Sequence, residues 1–171
     1  MRYGIVPGDS TVTIDARSSV HPINTRTNGL TGFVELAIED GAVDVDAPAA
    51  GELVLAVERL RSGNPLEDRE LRRRIEARRF PTISGRLIGL ASGSGPGRYR
   101  VTGDLTFRGV TRTCTDEMTV TVLDGGTIRL AGESRFDVRD FGMEPPRILV
   151  LRVEPEVRVR VELLARPEPA P

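Results

Sequence analysis

The sequence predicts an all-β fold: an antiparallel β-barrel of about eight strands with one crossover α-helix. Three observations predict it. Apolar and polar residues alternate with period two through most of the chain. Short turn signals, among them Glu39-Asp40-Gly41, Arg108-Gly109 and Asp124-Gly125-Gly126, separate the alternating runs. One stretch, residues 64–79, carries helix signals instead. A length of 171 residues suits a single domain.

Taken in order, residues 11–18 place Val12, Ile14 and Ala16 on one face, with Thr13, Asp15 and Arg17 opposite. Residues 33–39 do the same with Val34, Leu36 and Ile38, and residues 52–60 with Leu53, Leu55 and Val57. The helix reading begins at Asn64, a residue whose side chain accepts backbone N–H bonds. Pro65 follows at the first helical position, and Glu67 completes a capping-box-like arrangement. Helix-compatible sequence runs to Arg79, and Phe80-Pro81 should end it. Residues 98–107 then alternate Tyr99, Val101, Leu105 and Phe107 against Arg100, Thr102, Asp104 and Thr106. Residues 113–123 offer Met118, Val120 and Val122, and residues 127–138 offer Ile128, Leu130, Phe136 and Val138. A short apolar run at 147–153 precedes the last strand, which alternates Val157, Val159, Val161 and Leu163 with Arg158, Arg160 and Glu162. The domain is expected to cover residues 1–165, and the Pro/Ala/Glu-rich 166–171 to form a flexible tail.

Composition excludes several functions. Lys+Arg 24 against Asp+Glu 25 gives a net charge of −1, which argues against non-specific nucleic-acid binding. All of those basic residues are arginine, so Schiff-base and P-loop lysine chemistry are absent. A single Cys114 and a single His21 exclude a disulfide, cysteine-based zinc sites and multi-histidine metal sites. No cofactor is expected. No stretch approaches the roughly 20 apolar residues of a membrane helix. The first residues carry no apolar leader, so a cytoplasmic location is expected.

Several motifs, in order, resemble one family. Pro7-Gly8-Asp9-Ser10-Thr11-Val12 resembles its opening strand, with Asp9 where the family often has histidine. Thr31-Gly32-Phe33 is similar to its next turn, and Asn64, Asp68-Arg69 and Leu71 to its helix. Phe80-Pro81-Thr82-Ile83, the run from Tyr99 through Gly109-Val110-Thr111, and Asp140-Phe141-Gly142 complete the resemblance. The family is the YceI-like, or polyisoprenoid-binding-like, family, and the resemblance covers residues 3–165. It implies an eight-stranded antiparallel lipocalin-like β-barrel around an elongated apolar cavity, binding of long-chain isoprenoid or other lipid-like molecules, and no established enzymatic activity. It also implies relatives that are often secreted or periplasmic.

On that reading the alternating faces are at once core and binding wall. Small inward residues such as Gly85, Gly103 and Cys114 leave volume for a guest. The expected wall comprises Val12 and Ile14; Val34, Leu36 and Ile38; Leu53, Leu55 and Val57; and Ile83. It continues through Val101, Leu105 and Phe107; Met118 and Val120; and Phe136 and Phe141. Asn64, Arg69, Arg73 and Arg74 are candidates for a phosphate or quinone oxygen at the head of the guest, although such a helix also reads as a solvated face.

Other candidates carry less. His21 reads as structural, Cys114 as a small core residue, and Asp137, Asp140 and Glu144 as a strand end running into a turn. Residues 89–97 read as a hairpin loop. The function expected is non-enzymatic carriage or sequestration of an isoprenoid, quinone or other lipid. The rivals are an enzyme acting on such a molecule, and a filled barrel serving as an interaction module. The sequence leaves room for a homodimer.

Overall fold

The structure, a computed structural model, describes residues 1–169. Its strands are β1 (Arg2–Ile5), β2 (Thr11–Ser18), β3 (Pro22–Thr27), β4 (Leu30–Glu35), β5 (Ile38–Glu39), β6 (Ala42–Val43) and β7 (Ala50–Ala56). After the helix α1 (Pro65–Ile75) come β8 (Thr82–Ser92), β9 (Arg98–Phe107), β10 (Val110–Val122), β11 (Ile128–Asp137), β12 (Arg147–Ile148) and β13 (Leu151–Pro167).

The main sheet is antiparallel throughout and closes on itself. Its order β1-β4-β7-β8-β9-β10-β11-β13 returns to β1, because Gly4 and Ile5 face Arg166 and Ala165. β1 and β2 lie along the same edge of β13 as two halves of one bent strand. β4 pairs with the first half and β3 with the second. The ring is therefore a closed eight-stranded barrel.

The bend between β1 and β2 is a short 3-10 turn, Pro7–Asp9. It takes the backbone of residues 7–9 off the ladder, so β13 needs another partner there. Ser10, fully buried, supplies it: the Leu164 N–H donates to Ser10 Oγ at 3.0 Å. Ser10→Ala should leave that buried N–H unpaired and lower stability by about 1–3 kcal/mol, read as an earlier urea midpoint.

The structure departs from the sequence expectations at several points. Residues 33–39 are not one strand: β4 stops at Glu35, and Ile38 belongs to the small β5–β6 hairpin outside the main sheet. Residues 52–60 likewise break at Ala56, where a 3-10 turn, Val57–Arg59, begins. The helix ends at Ile75, not Arg79, because Glu76 turns into the left-handed region at φ 58°. Its N–H satisfies the Arg72 and Arg73 carbonyls, and its carboxylate accepts from Arg108 at 2.6 Å. The hairpin loop is shorter than residues 89–97, since β8 runs to Ser92. The expected tail begins inside a strand: Arg166 and Pro167 belong to β13, and the Glu168 N–H donates to the Arg2 carbonyl at 2.8 Å. The rest of that tail, residues 170–171, lies outside the described residues.

Candidate functional site

The inward side chains of the ring leave two chambers end to end, of about 250 Å³ and 200 Å³. They meet at a waist formed by Leu53, Gly85, Leu105 and Phe136, which line both. An apolar cavity of about 150 Å³ is enough to stay dry and hold benzene, so either chamber can take hydrocarbon. Cross-strand pairing explains the waist: Leu53 and Leu105 both face Gly85 across their ladders, and the glycine leaves the space between them open.

The first chamber lies under α1 and the segment 138–148. The helix turns Glu67, Leu71 and Ile75 toward it, four residues apart and so on one face. Val138, Phe141, Met143, Pro146 and Ile148 complete that end. Phe141, almost fully buried, packs against Phe107 and Phe136 with ring centroids 5.6 and 6.4 Å away. Arg108 holds this cap in place, donating to the Phe141 and Gly142 carbonyls and to Glu76. The β5–β6 hairpin lies over the second chamber, which Val43 helps to line; its N–H donates to Tyr99 Oη at 2.8 Å.

The residues proposed from sequence as a binding wall divide between the chambers. Val12, Ile14, Leu55, Ile83, Phe107 and Phe141 line the first; Val34, Leu36, Val101, Met118 and Val120 line the second. Leu53, Leu105 and Phe136 serve both. Ile38 and Val57 line neither: Ile38 sits in the outer hairpin, and Val57, fully buried, packs into the core at its 3-10 turn.

None of the candidate head-group residues lines a chamber. Asn64 caps α1, its Oδ1 accepting the Leu66 N–H at 3.0 Å. Arg73 and Arg74 are both tied to Glu70, Arg74 also to Glu144, and Arg69 is exposed. The Arg73 hydrogen bond, helped by Arg74, holds the Glu70 carboxyl below the usual carboxylate range. Asp9, half exposed, stands 3.9 Å from Arg166 and away from the chambers.

Other singled-out groups are accounted for by structure. Asp137 caps the 3-10 turn Val138–Phe141 by accepting the Arg139 N–H, and its bonds from the Arg139 side chain and backbone lower its pKa. Cys114 lines the second chamber, where burial, with the charges of Asp116 and Asp104, pushes its thiol up, away from thiolate chemistry. His21 is half exposed, with Nδ1 2.9 Å from the Pro22 carbonyl. A polar groove outside β2 and β13 is occupied by paired charges, Asp15 bonding both Arg158 and Arg160. Among the described residues there is no group of three or more His, Cys, Asp or Glu that could hold a metal ion, and no helix is long and apolar enough to cross a membrane.

Sequence reasoning missed Glu67, Leu71 and Ile75 as wall residues. Their four-residue spacing was the available signal. Glu67 was absorbed instead by a capping box that does not form: the Asn64 N–H donates to Ser62 Oγ, at 3.2 Å.

The model of the YceI-like domain family matches residues 3–165. No curated protein matches the chain. Among solved structures, Burkholderia cenocepacia BcnA superposes with a TM-score of 0.78 at 17% identity, over 94% of this chain and 98% of that one. A polyisoprenoid binding domain from Saccharophagus degradans, implicated in plant cell wall breakdown, gives 0.75 at 15% identity, over 97% and 98%. A Campylobacter jejuni YCEI protein gives 0.66 at 13% identity, over 82% of each chain. At these identities the likeness is one of fold.

Proposed function

Since the chain belongs to the YceI-like domain family, we propose that it binds a long apolar guest, an isoprenoid, quinone or similar lipid, inside its barrel and carries or sequesters it without chemical change. The observation that carries this reading is the pair of adjoining chambers, which share Leu53, Gly85, Leu105 and Phe136 and have almost wholly apolar walls. Hiding about 500 Å² of hydrocarbon from water releases roughly 12 kcal/mol. Micromolar binding corresponds to about 8 kcal/mol, so the surplus can meet several kcal/mol of association cost. Such a guest needs no directed polar contact along its length. The Saccharophagus structure, that of a polyisoprenoid binding domain, supports the same ligand class.

The rival readings have less support. A filled barrel acting only as an interaction module has no use for the open waist at Gly85. An enzyme would need an activated group on the bore, and the Cys114 thiol is shifted the wrong way. Freshly purified protein should yield a hydrophobic compound to organic extraction and mass spectrometry, and stripped protein should take up added prenols. Repeatedly empty extracts, with no uptake, would count decisively against carriage.

A further inference from the structure

We propose that Glu67 receives the polar end of the guest, and that this end is a hydrogen-bond-donating hydroxyl rather than a phosphate. The proposal rests on the carriage reading and specifies its ligand.

Glu67 interrupts an otherwise apolar stripe. On the inward face of α1 it precedes Leu71 and Ile75, and all three line the first chamber. Its side chain is only 8% exposed. A carboxylate on so enclosed a side chain favours a donor, since buried polar groups are ordinarily hydrogen-bonded. Among the described residues its carboxylate accepts no hydrogen bond. The nearest side chain to it of opposite type is His21, whose Nε2 stands 3.7 Å from Oε1, beyond hydrogen-bonding distance. The other ring nitrogen, Nδ1, is engaged elsewhere, 2.9 Å from the Pro22 carbonyl. Nor does Glu67 cap its own helix, since the Asn64 N–H goes to Ser62. Glu67 thus stands in the chamber wall with no donor bonded to its carboxylate among the described residues.

The other polar groups of that chamber agree in kind. They are the hydroxyls of Thr25, Ser62 and Ser84 and the exposed carboxylate of Glu154 at the rim. No arginine lines this chamber among the described residues. The arginines of α1 that could have met a phosphate, Arg73 and Arg74, are held by Glu70 and line neither chamber. Arg86, in the second chamber's wall, is exposed and in register with Asp104. A phosphate entering the first chamber would meet a carboxylate and no arginine in the wall, whereas an alcohol, phenol or quinol O–H finds an acceptor. The same chemistry favours a quinol over its quinone, which has nothing to donate.

The test compares three probes on one C20 chain: geranylgeraniol, its monophosphate and its methyl ether. Each is titrated against wild type, Glu67→Gln and Glu67→Leu by displacement of a fluorescent fatty-acid analogue. Wild type should bind the alcohol about tenfold or more tighter than the ether and the phosphate, the scale of one charge-assisted hydrogen bond. Glu67→Gln keeps an acceptor and removes the charge. It should hold alcohol affinity within about threefold and raise phosphate affinity about fivefold or more, the loss of one close like-charge repulsion. Glu67→Leu should erase the preference for alcohol over ether while leaving ether affinity as in wild type. Should Glu67→Leu fail to fold, the phosphate-to-alcohol ratio in Glu67→Gln decides alone. Equal binding of alcohol and phosphate by wild type overturns the proposal, as does an alcohol preference that survives Glu67→Leu. If wild type binds none of the three, carriage itself fails and the head-group assignment falls with it.

Discussion

A Gly85→Phe variant should fold as well as wild type and fail to take up a long-chain guest. Gly85 sits at the waist between the chambers, and a Cβ built there meets no atom within 4 Å. Its backbone is not in the left-handed region, so a larger residue strains nothing. The ring would fill the open space between Leu53 and Leu105 and divide the bore into two short pockets. Uptake should fall about a hundredfold or more, the loss expected when roughly 3 kcal/mol of hydrocarbon burial is forfeited. Stability should hold or rise by about 1 kcal/mol, because glycine is a poor strand residue and the new ring buries apolar surface. An unaltered Kd in a well-folded variant would show that the guest does not cross the waist.

The opposite outcome is expected at Gly32, where even the smallest side chain should collapse the barrel. Its φ is +138°, and an added Cβ would lie 2.0 Å from the Glu52 carbonyl oxygen. That carbonyl belongs to β7, which pairs with β4 at this point, so relief requires the two strands to part. Gly32→Ala should cost at least about 4 kcal/mol, beyond the usual range for a point substitution, and be seen as loss of the cooperative thermal transition. Gly41→Ala is the control. Gly41 also has a positive φ, +79°, but open space around it, so only the backbone penalty of about 1–2 kcal/mol applies. Similar melting of the two variants would mean that strain, not the β4–β7 collision, governs Gly32.

Much of the barrel is legible in the sequence because most staves present one greasy and one wet face. Arg98–Phe107, Ile128–Asp137 and the later part of Leu151–Pro167 are read directly from alternation. β3 is hidden for a physical reason. Its buried positions are Ile23, Thr25 and Thr27, and threonine does not register as apolar. β8 is obscured by the room the bore requires, since Gly85 stands where a large residue would mark a face. A register shift between Leu87 and Gly89 then breaks the period. β1 is too short to show a pattern. The wall is legible wherever strands supply it, whereas the helix's contribution is masked by its many arginines. Nothing local reveals that Glu67 faces inward or that Arg73 and Arg74 spend their charge on Glu70.

The pairing of residues 3–5 with 165–167 makes closure a matter of timing. A nascent chain cannot zip this seam until nearly the whole polypeptide has emerged, and contacts between such distant segments form slowly. Meanwhile the sheet is an open trough whose unzipped margins invite wrong partners.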